Sequence, residues 1–219
     1  MTNLDTRTPR PLVLACGSLA GDLRAVLGSS GFDRHLDVEY LPANLHNRPD
    51  EIAPALRPRL QAAFDAGRPV FVAYADCGTG GGLDALLLDF PGVQRLPGAH
   101  CYEVLAGAAL FAALQDEELG TFYLTDFLAK HFDALVWSGL GLDRHPELRD
   151  LYFGAYRRVV LLSQTPDSPG ADSDVVTRAR AAAAQLGLAF SHRPTGRQGL
   201  RTPLLAFVDR RAPHHASAR

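Results

Sequence analysis

The run Pro69-Val70-Phe71-Val72-Ala73-Tyr74-Ala75-Asp76-Cys77-Gly78 constrains the chain more than any other stretch. Its apolar residues are continuous, without the alternation of a strand that shows one face to water, so it reads as a strand buried on both faces. Such a strand needs a layer of helices on each side, and the flanking sequence supplies them. Short apolar or β-branched runs at 11–17, 37–43, 134–142, 157–165, 188–194 and 202–210 alternate with helical patterns. Those patterns fall at 22–27, 49–67, 83–90, 101–117, 145–156 and 174–187; 93–98 is extended, and 120–132 begins as a short strand and continues as a helix. The expectation is an α/β fold: a single Rossmann-like domain with a mostly parallel central sheet and helices on both faces. It is expected over 11–210, between a disordered tail at 1–10 and a frayed one at 211–219. Pro54 and Pro58 predict a kink or a late start for the helix at 49–67.

Charge and composition exclude several classes of function. The 219 residues carry 22 basic and 24 acidic side chains, a formal net charge of −2. That balance lacks the basic footprint of a nucleic-acid-binding or anionic-membrane-binding protein, so neither partner is expected. No apolar run approaches the roughly 20 residues needed to span a bilayer, and the opening MTNLDTRTPR has no apolar core of a secretory signal. The expected compartment is the cytoplasm. The three cysteines, Cys16, Cys77 and Cys101, are odd in number and far apart, which argues against a disulfide framework.

In an open α/β sheet, ligands bind beyond the carboxyl ends of the strands. Cys16 lies in the turn after 11–15, Cys77 opens the glycine-rich loop after 69–76, and Cys101 follows the extended segment 93–98. His46 follows 37–43 in the loop Leu45-His46-Asn47-Arg48-Pro49, and His100 precedes Cys101. Taken singly, a free cysteine is usually a small buried hydrophobe. All three at strand-to-loop junctions point instead to one shared site. No close pair of ligands with zinc-like spacing is present, so three thiolates from separate loops suit a [4Fe–4S] cluster with one open iron. Zinc held by Cys16, Cys77 and Cys101, with His46 or substrate in the fourth position, is the alternative.

The loop Gly78-Thr79-Gly80-Gly81-Gly82 follows a strand and precedes a helix, where backbone amides can face an anion. It matches neither a P-loop nor a dinucleotide fingerprint, because no Gly-Lys-Ser/Thr follows and Leu83 stands where a third glycine belongs. Two readings stay open for Gly78, Thr79, Gly80 and Gly81: cofactor binding, or a tight turn beside the site. Glu103 is a candidate general acid or base with His46, although an acidic residue in a first helical turn also compensates the helix dipole.

The segments Cys16-Gly17, Leu45-His46-Asn47-Arg48-Pro49, Asp76-Cys77-Gly78-Thr79-Gly80-Gly81, His100-Cys101-Tyr102-Glu103 and Gly120-Thr121-Phe122-Tyr123-Leu124-Thr125-Asp126 together resemble the signature of a prokaryotic domain-of-unknown-function family. The resemblance covers Leu12 to Gln164. It implies a small cytoplasmic protein in or near one-carbon or corrinoid metabolism, in the company of corrinoid-dependent methyltransferase systems. The functional expectation is therefore a metal–thiolate enzyme acting on a small-molecule substrate. The alternative is a non-catalytic accessory that docks on a corrinoid protein or methyltransferase.

Overall fold

A computed structural model describes residues 9–165 and 174–210. The expected C-terminal tail and residues 1–8 of the expected N-terminal tail lie outside them. Arg10 is tied down: its guanidinium donates to the carbonyls of Arg34 and Leu36, and Arg68 Nε donates to the Arg10 carbonyl.

Strands apolar on both faces must lie between layers, and the described residues contain seven strands, all in parallel pairings. β1 (Leu12–Cys16), β2 (Asp37–Leu41), β3 (Val70–Ala73) and β4 (Gln94–Arg95) form one sheet in the order β2-β1-β3-β4. β5 (Thr121–Thr125), β6 (Arg158–Ser163) and β7 (Ala189–Pro194) form a second, in the order β5-β6-β7. The α/β class holds, but the single central sheet is corrected to two. Periodicity identifies a buried strand without specifying its neighbour, and β4, two residues long, pairs only with β3.

The helices are α1 (Ala20–Ser30), α2 (Ile52–Asp65), α3 (Gly82–Leu87), α4 (Cys101–Ala106), α5 (Ala108–Glu117), α6 (Asp126–Lys130), α7 (Arg149–Phe153), α8 (Asp174–Leu186) and α9 (Gln198–Asp209). β6 shows why the second sheet needs cover on both sides. Val159 and Leu161 enter a core with α6 and α8, while Val160 and Leu162 enter another with Leu114 and Tyr123. In the first sheet β3 is interior, as its continuous apolar run requires.

Three elements differ from expectation. The run 134–142 is not a strand: Asp133–Trp137 forms a π-helical turn followed by tight turns. The run 202–210 is helical, because Leu200, Leu204, Phe207 and Val208 repeat at helical spacing and are all buried. Pro203 disguises that period. The expected long helix 101–117 breaks at Gly107, whose φ of 80° and ψ of 142° are not helical. The late start of the 49–67 helix is as expected, with the α-helix beginning at Ile52.

α9 ties the chain's two halves together. Its apolar side chains join the core of the first sheet, where the Phe71 and Phe207 rings lie 5.4 Å apart between centroids. Each such buried side chain contributes about 2 kcal/mol. Just before α9, Arg197 Nε donates to Asp22 of α1 at 2.7 Å.

Candidate active site

Register places the thiols. Ala15 of β1 is paired with Ala73 of β3, so the next residue along each strand direction brings Cys16 level with Tyr74. On the other side Cys16 is paired with Leu41, the last residue of β2. The chain leaves β1 through Gly17, where a Cβ would stand 2.9 Å from the Leu41 carbonyl oxygen. Only glycine lets the two strand ends pass this closely. Beyond β3, the Asp76 and Cys77 amides donate to the carbonyls of Gly98 and Ala99 at 3.2 and 2.8 Å. Those two bonds hold the Cys77 loop against the start of α4, where Cys101 sits.

Cys16, Cys77 and Cys101 are all free thiols and all buried. Cys16 Sγ and Ser18 Oγ are 3.0 Å apart. The neighbouring Cys101 thiol lowers the pKa of Cys77, and Cys77 in turn raises that of Cys101 well above the usual value. Burial raises that of Cys16, and the charge of Cys77 adds to the rise. Cys77 also has a φ of 52°, alone among the described non-glycine residues in the left-handed region. A side chain held there costs energy that the surrounding contacts must supply. Tyr74, almost fully buried, lies beside Cys16 with its hydroxyl lacking a hydrogen-bond partner among the described residues.

The glycine loop is filled from within. The Asp76 carboxylate accepts the Thr79 hydroxyl at 2.5 Å and the Gly80 and Gly81 amides at 3.1 and 3.0 Å. The Thr79 amide donates to the Asp76 carbonyl, and Leu83 N to the Thr79 hydroxyl. These bonds hold the Asp76 pKa below its ordinary value, the Thr79 hydroxyl being the largest cause. An external anion would have to displace this carboxylate, so the arrangement agrees with the tight-turn reading of Gly78, Thr79, Gly80 and Gly81. Glu103 accepts the Ala99 amide at 2.9 Å and packs over Gly98. Its carboxylate braces the entry to α4 rather than lining the cleft.

A cleft of about 140 Å³ opens beside the thiols, between the two sheets. Ser18, Ala43, His46, Asn47, Cys101 and Tyr102 form its wall on the first-sheet side. Phe122, Phe127, Leu128, Leu135, Val136 and Leu140 form the opposite wall. His46 is solvent-exposed, yet its ring packs edge-on against Tyr102, with centroids 6.2 Å apart. The protein packed around the imidazole, and then the charge of His100, lower its pKa. Tyr102 in turn stacks on Tyr123 at 5.7 Å and touches the cores of both sheets. Asn47 Nδ2 donates across the cleft to the Leu135 carbonyl at 3.0 Å.

The structure thus groups Cys16, Cys77 and Cys101, places His46 on the cleft wall next to Cys101, and assigns Glu103 and the glycine loop to bracing. Among the described residues, no three His, Cys, Asp or Glu side chains are drawn up at distances that would hold an ion. Sequence reasoning missed Tyr74 and the apolar far wall. Tyr74 stands inside a continuous apolar run that gives no sign of an unpaired hydroxyl, and Leu135 and Val136 of the far wall come from a π-helical turn read as a strand.

A family model described as a protein of unknown function, DUF1638, matches residues 40–204. That is three quarters of the chain. The chain belongs to this family. The DUF1638 match takes in His46, Cys77 and Cys101 but begins in β2, so Cys16 and Ser18 precede it. No curated protein and no solved structure matches the chain. No helix among the described residues is long and apolar enough to cross a membrane.

Proposed function

We propose that this chain is a metal–thiolate protein that acts on a small molecule bound beside Cys101. The observation that supports the reading best is that three buried thiols, from the end of β1, the loop after β3 and the start of α4, lie at one end of the first sheet, with Cys101 among them lining the cleft. Thiolates select soft metals, so Cys16, Cys77 and Cys101 would hold an iron–sulfur cluster or zinc in preference to magnesium or calcium. As they stand the thiols are not closed around an ion, so uptake requires their side chains to turn towards a common point. A metal bound there would supply an open Lewis-acid position for a substrate oxygen or sulfur. His46 would move a proton at the cleft wall, since a neutral imidazole can accept one.

The left-handed backbone of Cys77, with a pKa lowered beside Cys101, favours a second reading, a metal-free thiol enzyme with Cys77 as nucleophile. Anaerobic purification, with iron, zinc and acid-labile sulfide measured on the wild type, Cys77→Ser and Cys101→Ser, separates the two. The metal reading expects close to one zinc or one cluster per chain, lost in both variants while the fold survives. Absence of metal from the wild type after anaerobic reconstitution, with all three thiols titratable, overturns it and leaves the nucleophile.

A further inference from the structure

The two walls of the cleft differ in kind, and neither carries a charged side chain. No Asp, Glu, Lys or Arg lines it. Its one imidazole, His46, stands at the mouth of the cleft and packs edge-on against Tyr102. A carboxylate, phosphate or ammonium entering such a space would lose its hydration without gaining a counter-charge. One wall offers hydrogen-bonding and soft atoms at Ser18, His46 and Cys101; the other offers only hydrocarbon, at Leu128, Val136 and Leu140 among others. The volume, about 140 Å³, matches the roughly 150 Å³ at which an apolar protein cavity takes up one benzene.

We infer that the cleft binds an uncharged molecule of about benzene size, with a single polar or soft end towards Cys101, Ser18 and His46 and an apolar body against Leu128, Val136 and Leu140. The inference rests on the small-molecule reading above and deepens it by naming the ligand class that the metal-free cleft takes. It excludes phosphorylated metabolites, amino acids and carboxylic acids as occupants. Asn47, bonded to the Leu135 carbonyl across the cleft, fixes the spacing of the two walls and so limits the width of what enters.

The chain provides its own reporter. Trp137 is the sole tryptophan and follows Leu135 and Val136 in the π-helical turn that forms part of the apolar wall. Phenol is the probe, since it is uncharged at pH 7 and pairs one hydroxyl with an apolar ring. Titration of the full chain with phenol, followed by Trp137 emission and by calorimetry, is expected to show saturable one-to-one binding. Benzoate and benzylammonium are expected to bind at least tenfold more weakly. Val136→Phe and Leu128→Phe, which fill the apolar end, should each abolish phenol binding, with folding checked by circular dichroism. Equal binding of phenol and benzoate, no phenol binding, or binding unchanged in both folded variants overturns the inference. Each titration is run on chelator-treated and metal-loaded protein of measured metal content. Metal without phenol binding then removes only this inference, and phenol binding without metal removes only the metal reading.

Discussion

The second residue of α9, Gly199, sits against the backbone of α4: a Cβ built there would stand 1.7 Å from the Val104 carbonyl oxygen and 2.9 Å from its carbon. Gly199→Ala therefore sets two effects against each other. Alanine favours a helix over glycine by up to about 1 kcal/mol. An unstrained carbon–oxygen contact is about 3.3 Å, so the helices must part by roughly 1.6 Å to admit the methyl group. Parting lifts Leu200, Leu204, Phe207 and Val208, all buried, from the first core. The parting is greatest at Gly199 and falls along α9; where it averages about 0.5–1 Å, a quarter to a half of the contact energy of roughly 2 kcal/mol per side chain is lost. The loss is about 2–4 kcal/mol, and the net destabilisation about 1–3 kcal/mol, or roughly 3–10 °C in thermal midpoint for a chain of this size. Gly21, the second residue of α1, is the matched control, because nothing lies within 4 Å of its would-be Cβ. Gly21→Ala should stabilise by about 0.5–1 kcal/mol. Urea and thermal unfolding of both variants measure the difference. If Gly199→Ala matches Gly21→Ala in sign, the close approach of α9 to α4, and the account of how α9 seals the first core, are wrong.

Two further outcomes follow from the buried charges and the loop. Burial raises the Asp22 pKa despite the partly compensating Arg197; its protonated form adds stability that is present below the unfolded pKa and lost as pH rises through the folded one. Arg197→Met should thus cost about 2 kcal/mol at pH 7, less on acidification, and Asp22→Asn in the same chain should restore most of it in urea titrations. Asp76→Ala removes the acceptor for Thr79, Gly80 and Gly81 and should cost about 1–2 kcal/mol. Faster hydrogen exchange at 79–83 should accompany that loss, whereas unchanged protection there would show that the carboxylate does not organise the loop.

Much of this architecture is legible in the residues. Continuous apolar runs mark β1, β3 and β6, and an alanine-rich helical pattern marks α8, because burial on two faces or on one stripe leaves a local imprint. Pairing leaves none. β3 and β5 look alike as buried strands, yet they belong to different sheets. Site residues show the same division. Cys16, Cys77 and Cys101 are readable from their place after strands, since chain direction alone takes them to one end of a parallel sheet. That Asp76 would take the amides of Gly80 and Gly81, and Glu103 that of Ala99, depends on side-chain reach across turns that sequence spacing does not specify. Leu135 and Val136, within a turn of unusual period, were unreadable as cleft wall for the same reason.

The return of α9 to the first sheet gives the chain an order of assembly. β1, β2, β3 and β4 are synthesised first, but the helix that covers Phe71 with Phe207 comes after β7. A nascent chain that has completed the second sheet still shows water the part of the first core that α9 will cover. Without α9, α4 also lacks the neighbour that meets it at Val104, and α4 carries Cys101 and Tyr102. The cleft should consequently be among the last features to become rigid. Until then its thiols are open to oxidants and stray metal ions, and a chaperone that shields the unfinished first sheet would protect the chemistry as well as the fold.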